Sequence, residues 1–211
     1  MAQILKDDVR KRILDSAKEE FLSYDYEDAS MRRIALRSKM TVGNLYRYFK
    51  NKEELLLFIV NPTYSRINSL IMRLTGDSIS LNEENTAIDF STEKLYQLID
   101  ALTEGLIAIH SDHPAEMNIL MMGSQLNSYL SGWFANIITQ LIEKNYPHLA
   151  DEKLLSALSN SYAIAIFHGV KEILRNSEMK EKELYEAVSI YLRSYVRMLE
   201  RNTASAKEDV R

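Results

Sequence analysis

The chain has 211 residues, a formal net charge of −4 and no cysteine, which excludes a disulfide framework and thiolate chemistry. This length suffices for one large or two small domains. Only 6 Gly and 3 Pro occur, too few for the turns of a many-stranded sheet, and this favours an all-α fold. No stretch is apolar enough for a transmembrane helix and the first residues do not form a signal peptide, so we expect a cytoplasmic protein.

Charge is distributed unevenly along the chain. Residues 1–52 contain 12 Lys+Arg and 8 Asp+Glu, a balance of +4, whereas the remaining residues contain 14 and 22, a balance of −8. Residues 30–52 contain seven Lys or Arg and no acidic residue. A basic end on an acidic body is typical of a nucleic-acid-binding domain joined to a domain that does not bind nucleic acid.

Three helices, the last two of them short, are predicted at this basic end. Asp7 or Asp8 can cap the first helix, and its apolar stripe runs to about Tyr24. Two shorter helical patterns follow at about 30–49, separated by a tight turn. Thr41 suits the N-cap of the second pattern because its hydroxyl can accept a hydrogen bond from a free backbone N–H. This arrangement predicts a helix-turn-helix.

The second of these patterns has two distinct faces. Leu45 and Phe49 are predicted to point into the domain, which leaves Gly43 and Arg47 on the opposite side. An outward Arg can bind a guanine edge or a phosphate with its planar fork, and an outward Gly permits close approach of the backbone. The predicted DNA-binding residues are Arg32, Thr41, Val42, Gly43, Asn44, Tyr46, Arg47, Tyr48 and Lys52. Lys52 is expected to contact phosphate; the alternative for the whole stretch is an ordinary solvated basic helix.

Three segments carry a family resemblance: R-I-L-D-S-A-K-E-E-F at 12–21, S-M-R-R-I-A at 30–35 and N-L-Y-R-Y-F-K-N-K-E-E-L at 44–55. They resemble the tetracycline-repressor-like (TetR) family of transcriptional regulators. Asp25 and Lys39 depart from the family pattern, which often has Gly there, and both places favour a left-handed backbone. The resemblance implies a DNA-binding domain over 6–52, followed by a helical ligand-binding and dimerisation domain over 53–200.

The second domain is predicted to be helical throughout. Asn51 can cap a fourth helix that is apolar nearly all round, and Pro62 is expected to kink or split it. Residues 75–91 are predicted to form a long connection. Further helices are predicted at 92–111, 113–123, 128–146, 151–176 and 180–200, and residues 201–211 are predicted to be a disordered tail.

The last two predicted helices, 151–176 and 180–200, have apolar faces wider than one packing partner requires. Deep burial within one chain would account for this, and so would a four-helix bundle across a two-fold axis. The resemblance favours the second interpretation, because members of the family are typically homodimers joined by these helices. Tyr191 and Tyr195 are predicted to point outward into such an interface.

Residues 96–134 are rich in methionine and aromatic side chains, which suit an ordinary core or an adaptable ligand cavity. The resemblance implies that a small-molecule effector binds in this domain. The candidate ligand-binding residues are Tyr96, Glu104, His110, Met121, Met122, Gln125, Trp133 and Phe134.

No motif for catalysis occurs, and His110 with His113 does not supply the three or four ligands of a metal site, so neither a metal nor a cofactor is predicted. The sequence therefore predicts a sequence-specific DNA-binding transcriptional regulator rather than an enzyme. We expect a ligand-responsive repressor that acts as a homodimer on a palindromic operator. The alternatives are a helical protein-interaction module and a helical enzyme.

Overall fold

The computed structural model describes residues 2–75, 92–122, 124–147, 149, 151–176 and 178–205. These residues form nine α-helices and contain no β-strand, which confirms the predicted all-α fold. The helices are α1 (Ala2–Asp28), α2 (Met31–Arg37), α3 (Val42–Tyr46), α4 (Lys52–Thr75), α5 (Thr92–Asp112), α6 (Pro114–Met122), α7 (Ser124–Asn145), α8 (Glu152–Leu174) and α9 (Glu181–Ser205). None of these helices combines the length and the apolar character that a membrane span requires.

Two residues near the helix-turn-helix have a left-handed backbone. Asp25 has φ 53° and ψ 179°, so α1 leaves helical geometry just after its predicted end at Tyr24. Lys39, in the turn after α2, has φ 56°. They are the only non-glycine residues with positive φ in the described ranges, which confirms the backbone expected at both positions. A side chain at such a φ costs roughly 1–2 kcal/mol.

Helix α4 begins at the predicted cap. The Glu54 backbone N–H donates to Asn51 Oδ1 at 2.7 Å, and the Lys50 backbone N–H donates to Glu54 Oε2 at 2.6 Å. Together they satisfy two free donors, as in a capping box. Pro62 lies inside this single helix, so of the two predicted effects, a kink or a split, the split is wrong. Proline has no backbone N–H, so one helical hydrogen bond is lost at Pro62. The burial of Val60 before it and Ile67 after it offsets the stability lost with that hydrogen bond.

The described chain divides into two compact units. The first contains Met1–Ile67 and Asp112–Gly123, and the second contains Asn68–Ser111 and Ser124–Arg211. The predicted domain boundary at residues 52 and 53 therefore differs from the observed one, because the first part of α4 and all of α6 belong to the N-terminal unit. Within that unit α6 packs on α1, where Met117 is fully buried.

Two ion pairs within the N-terminal unit link α6 to α1 and α4 to the last residue of α5. Lys18 Nζ lies 2.6 Å from Glu116 Oε1, and Arg66 Nη2 lies 2.6 Å from Asp112 Oδ2. These contacts join residues that are far apart in sequence, so the predicted division at residues 52 and 53 could not take them into account.

The second unit is built mainly from α5, α7, α8 and α9. Its buried core includes Leu95, Leu102, Ile138, Ile142, Ile166, Val170 and Leu192. Helix α9 continues to Ser205, so the predicted disorder is wrong for residues 201–205. Residues 206–211 and nearly all of the predicted long connection, 76–91, lie outside the described residues.

Candidate nucleic-acid interface

A buried carboxylate holds the helix-turn-helix against α1. Glu20 is 0% exposed, and its Oε1 accepts a hydrogen bond from the Ser30 backbone N–H at 2.9 Å and another from Arg33 Nε. Arg37 Nη2 lies 3.7 Å from the second carboxylate oxygen. Arg33 also donates to the Asp28 carbonyl oxygen. Both arginines therefore have structural partners within the domain.

Sequence reasoning did not select Glu20. A signal was present, because Glu20 follows Ala17 by three residues and so falls on the inward stripe with Ile13 and Phe21. A carboxylate at an inward position needs a charged or hydrogen-bonding partner. The basic residues of α2 were the available partners.

The turn that positions α3 is supported by hydrogen bonds. Ser38 is buried and its hydroxyl donates to the Ile34 carbonyl oxygen at 2.8 Å. The Asn44 backbone N–H donates to Thr41 Oγ1 at 3.3 Å, which confirms the predicted N-cap. Helix α3 ends at Tyr46, earlier than the predicted 49, but the Phe49 N–H still bonds to the Leu45 carbonyl oxygen at 3.1 Å.

The side chains of this segment separate into an inner and an outer face, as predicted. Leu45 and Phe49 are 0% and 1% exposed. The outer face of α3 consists of Val42, Gly43, Asn44, Tyr46 and Arg47, of which Val42 is half-buried and the others are exposed. Thr41 and Arg32 are also exposed, and Tyr48 is half-buried.

Gly43 and Arg47 are both available to a partner. A Cβ atom added at Gly43 would meet nothing within 4 Å, so packing within the chain does not require glycine there. Neither Arg47 nor Arg32 makes an ion pair or a side-chain hydrogen bond to another described residue. The guanidinium groups of Arg47 and Arg32 are therefore free to contact a partner. At Gly43 the helix backbone itself is open to a partner, because no side chain covers it.

Lys52 has a different role from the predicted one. Its ammonium group donates to the carbonyl oxygens of Tyr26, Glu27 and Ala29, with distances of 3.0 Å to the last two. It also lies 4.4 Å from the centre of the Tyr26 ring. A lysine has three N–H donors, and all are used at the C-terminal end of α1. The prediction of Lys52 as a free phosphate contact is corrected accordingly.

An apolar cavity lies within the second unit, and we call it the effector cavity after the small-molecule effector that the sequence predicts for this domain. Its volume is about 50 Å³. The lining residues are Leu95, Leu98, Ile99, Leu102, Trp133, Phe134, Ile137, Ile138, Leu141, Ile166, Leu192, Tyr195 and Val196. Two predicted ligand-binding residues, Trp133 and Phe134, are among them. The apolar positions of α5 and α9 were missed, because a helical core stripe has the same sequence pattern as a cavity wall.

The other predicted ligand-binding residues do not line the effector cavity. Met121 and Met122 lie on α6 in the N-terminal unit. Glu104 is exposed, and Tyr96 has the Arg193 guanidinium 5.0 Å from its ring centre. His110 is half-buried, and this burial lowers its pKa. The Gln125 side chain lies outside the described residues.

Tyr191 and Tyr195 point into the second unit rather than outward, which corrects the prediction. Tyr191 packs directly on Gly169 of α8, where an added Cβ would lie 2.0 Å from the phenol oxygen. Its hydroxyl donates to the Ala165 carbonyl oxygen at 2.7 Å, and Tyr195 Oη lies 3.0 Å away. The missing side chain at Gly169 is what allows the ring to turn toward α8.

Other apolar side chains of α8 and α9 are exposed to solvent. Leu154 and Ile164 on α8 are 47% and 53% exposed, and Ile190 and Met198 on α9 are 70% and 39% exposed. We call these four residues the α8–α9 outer face. Exposed apolar side chains mark a protein–protein interface where they form one contiguous patch.

Comparison with known proteins agrees with this geometry. Residues 13–59 match the family described as bacterial regulatory proteins, tetR family. The HTH-type transcriptional repressor KstR of Mycobacterium tuberculosis is 42% identical over 60 residues, which cover 28% of this chain and 27% of that protein. The matched segment thus spans about a quarter of the length of this curated relative.

Two solved structures share the fold over most of the chain. A TetR-like transcriptional regulator from Rhodococcus sp. RHA1 is 14% identical, with a TM-score of 0.55, and the match covers 90% of this chain and 96% of that one. A TetR family transcriptional regulator from Chloroflexus aurantiacus J-10-FL is 16% identical, with a TM-score of 0.60 and 93% of each chain covered.

The fold and the N-terminal site define an all-α protein with a helix-turn-helix DNA-binding domain. Over residues 13–59 the chain matches the tetR family of bacterial regulatory proteins, and over most of its length its fold resembles that of two TetR-type regulators.

Proposed function

We propose that this protein is a sequence-specific DNA-binding transcriptional regulator. The observation that carries the proposal is the outer face of α3. Leu45 is buried on the inner side, whereas Arg47 is free on the outer side and no atom of the chain lies close to the position of a Cβ at Gly43. A helix with this facing can enter the major groove and present its side chains to base edges. The family match of residues 13–59 supports the same conclusion.

The outer residues have distinct roles in this proposal. Arg47 can form the bidentate contact with a guanine edge, and Asn44 can form the corresponding contact with adenine. Gly43 lets the backbone approach the groove closely. Tyr46, Tyr48 and Arg32 are suited to phosphate oxygens, which set the register of the domain on the duplex.

We also propose a homodimer that binds a palindromic operator. The α8–α9 outer face supports this proposal, because Ile164 and Ile190 are exposed to water in a single chain and a dimer interface would bury them. Two DNA-binding domains in one dimer contact half-sites about 34–36 Å apart, or a multiple of that spacing. An operator of this kind is palindromic because the protein has two-fold symmetry.

The effector cavity supports regulation by a small molecule. A ligand that binds better to one conformation of the second unit shifts the population away from the DNA-competent state. Repression is the proposed direction, since KstR is named a transcriptional repressor. A regulator of this type acts in the cytoplasm, where bacterial chromosomal DNA is located.

A gel shift with the DNA upstream of the gene tests the function. We expect the wild-type protein to shift this DNA and Arg47→Ala to lose preference at one symmetric pair of operator positions, worth about 1–3 kcal/mol. Arg73→Ala, at an exposed position on α4, is the matched control and should bind as the wild type does. Absence of any shift would instead favour a helical protein-interaction module.

A further inference from the structure

Trp133 lines the effector cavity, and its side chain carries a hydrogen-bond donor that has no partner among the described residues. Its side chain is 8% exposed and lines the cavity. Its Nε1 atom is buried and has no hydrogen-bond partner in the described part of the chain. A buried N–H without an acceptor is costly, so an acceptor supplied by a ligand is favoured at this position.

Tyr195 provides the hydroxyl group of the described cavity lining. The Tyr191 hydroxyl donates its only proton to the Ala165 carbonyl oxygen, which cannot donate in return. The 3.0 Å contact between the two phenol oxygens is therefore made by the Tyr195 proton. Tyr195 retains only acceptor lone pairs, so Trp133 is the donor that a ligand can use.

Charged side chains are not part of the described lining. Asp100 and Arg193 are the sequence neighbours of the lining residues Ile99 and Leu192. They form an ion pair with each other, in which Arg193 Nη2 lies 2.7 Å from Asp100 Oδ2. Neither charge is free to neutralise a buried ligand. A carboxylate or ammonium group placed among these apolar side chains would be unpaired, which is far more costly than burying a neutral polar group.

We propose that the effector is an uncharged, mainly hydrocarbon molecule whose carbonyl oxygen accepts a hydrogen bond from Trp133 Nε1. This inference rests on the proposed function, in which the cavity binds the effector. The cavity of about 50 Å³ is smaller than the roughly 150 Å³ cavity that admits benzene in another protein, so the lining side chains must move apart on binding.

Four probes of matched ring size test the ligand class: cyclohexanone, cyclohexane, cyclohexanecarboxylate and cyclohexylammonium. Binding to the full chain is measured by calorimetry, with the emission of Trp133, the only tryptophan, as a second readout. We expect cyclohexanone to bind at least about tenfold more tightly than either charged probe, because only the charged probes bury an unpaired ion. Equal or tighter binding of a charged probe, or no binding by any probe, overturns the proposal.

The variant Trp133→Phe tests the hydrogen bond, and Phe134→Leu is the control that alters the lining but keeps the N–H group. In Trp133→Phe the affinity for cyclohexanone relative to cyclohexane should fall roughly two- to tenfold, the effect of one neutral hydrogen bond. The same ratio should stay at the wild-type value in Phe134→Leu. An unchanged ratio in Trp133→Phe overturns the assignment of the donor. Operator binding without ligand, measured by gel shift, tests the proposed function separately.

Discussion

The Arg33 guanidinium donates to the fully buried carboxylate of Glu20, and this contact joins α2 to α1. The same carboxylate oxygen accepts the Ser30 backbone N–H at the start of α2. The orientation of the helix-turn-helix therefore depends on a charged group inside the domain, in addition to its apolar core.

Replacement of Glu20 by Ala should destabilise the DNA-binding domain. The change leaves the Ser30 N–H and the Arg33 guanidinium without their acceptor, at a cost of about 1–3 kcal/mol, since Arg33 remains partly exposed and can reach water. Chemical denaturation measures the difference. Glu19→Ala is the control, because this neighbouring carboxylate is 71% exposed and its loss should change stability by less than about 0.5 kcal/mol. Equal effects of the two substitutions would contradict the structural role of Glu20.

Replacement of Lys39 by Gly should stabilise the protein. Lys39 has φ 56°, and glycine adopts this backbone without steric strain, so we expect a gain of about 1 kcal/mol in the free energy of unfolding. Thermal or chemical unfolding measures it. Lys39→Ala is the matched control, because alanine retains the Cβ atom that causes the strain and should give no comparable gain. If both variants gained equally, removal of the positive charge would be the better explanation.

Lys52→Ala should destabilise the protein by about 1–2 kcal/mol. The ammonium group satisfies carbonyl oxygens at the end of α1, where a cation also interacts favourably with the helix dipole. Lys50→Ala is the control, since Lys50 is exposed and its side chain has no partner among the described residues. A Lys52→Ala protein with wild-type stability but a flatter salt dependence of DNA binding would restore the phosphate role first predicted.

Charge placed on the α8–α9 outer face should produce monomers. In the double variant Ile164→Glu and Ile190→Glu, two apolar contacts of the proposed interface become like charges that cannot be buried together. Light scattering at micromolar concentration should report the mass of one chain, and operator binding should be lost. Met72→Glu, at another apolar position that is 54% exposed, is the control and should remain dimeric. A wild-type protein that is monomeric under these conditions would refute the dimer itself.

Local sequence signals determined much of the N-terminal domain. The caps at Thr41 and Asn51 form as predicted, because a cap depends on residues only a few positions apart. The predicted cap at Asp7 or Asp8 is wrong, since α1 already begins at Ala2. The positive φ at Asp25 and Lys39 was expected from the family resemblance instead, because the family often has glycine at these two positions. The helical spacing of Leu45 and Phe49 likewise defined the inner and outer faces of α3, since burial of that stripe leaves the opposite side to solvent.

Only the tertiary structure decided which residues share a site. Lys52 was expected at the surface, and it is the carbonyl oxygens of α1, distant in sequence, that bind its ammonium group. Tyr191 turns inward because Gly169, on another helix, leaves room for its ring. Met121 lies in the N-terminal unit, whereas Trp133 lines the effector cavity in the second unit. Helical periodicity specifies which side of each helix is apolar, but it contains no information about which other helix covers that side.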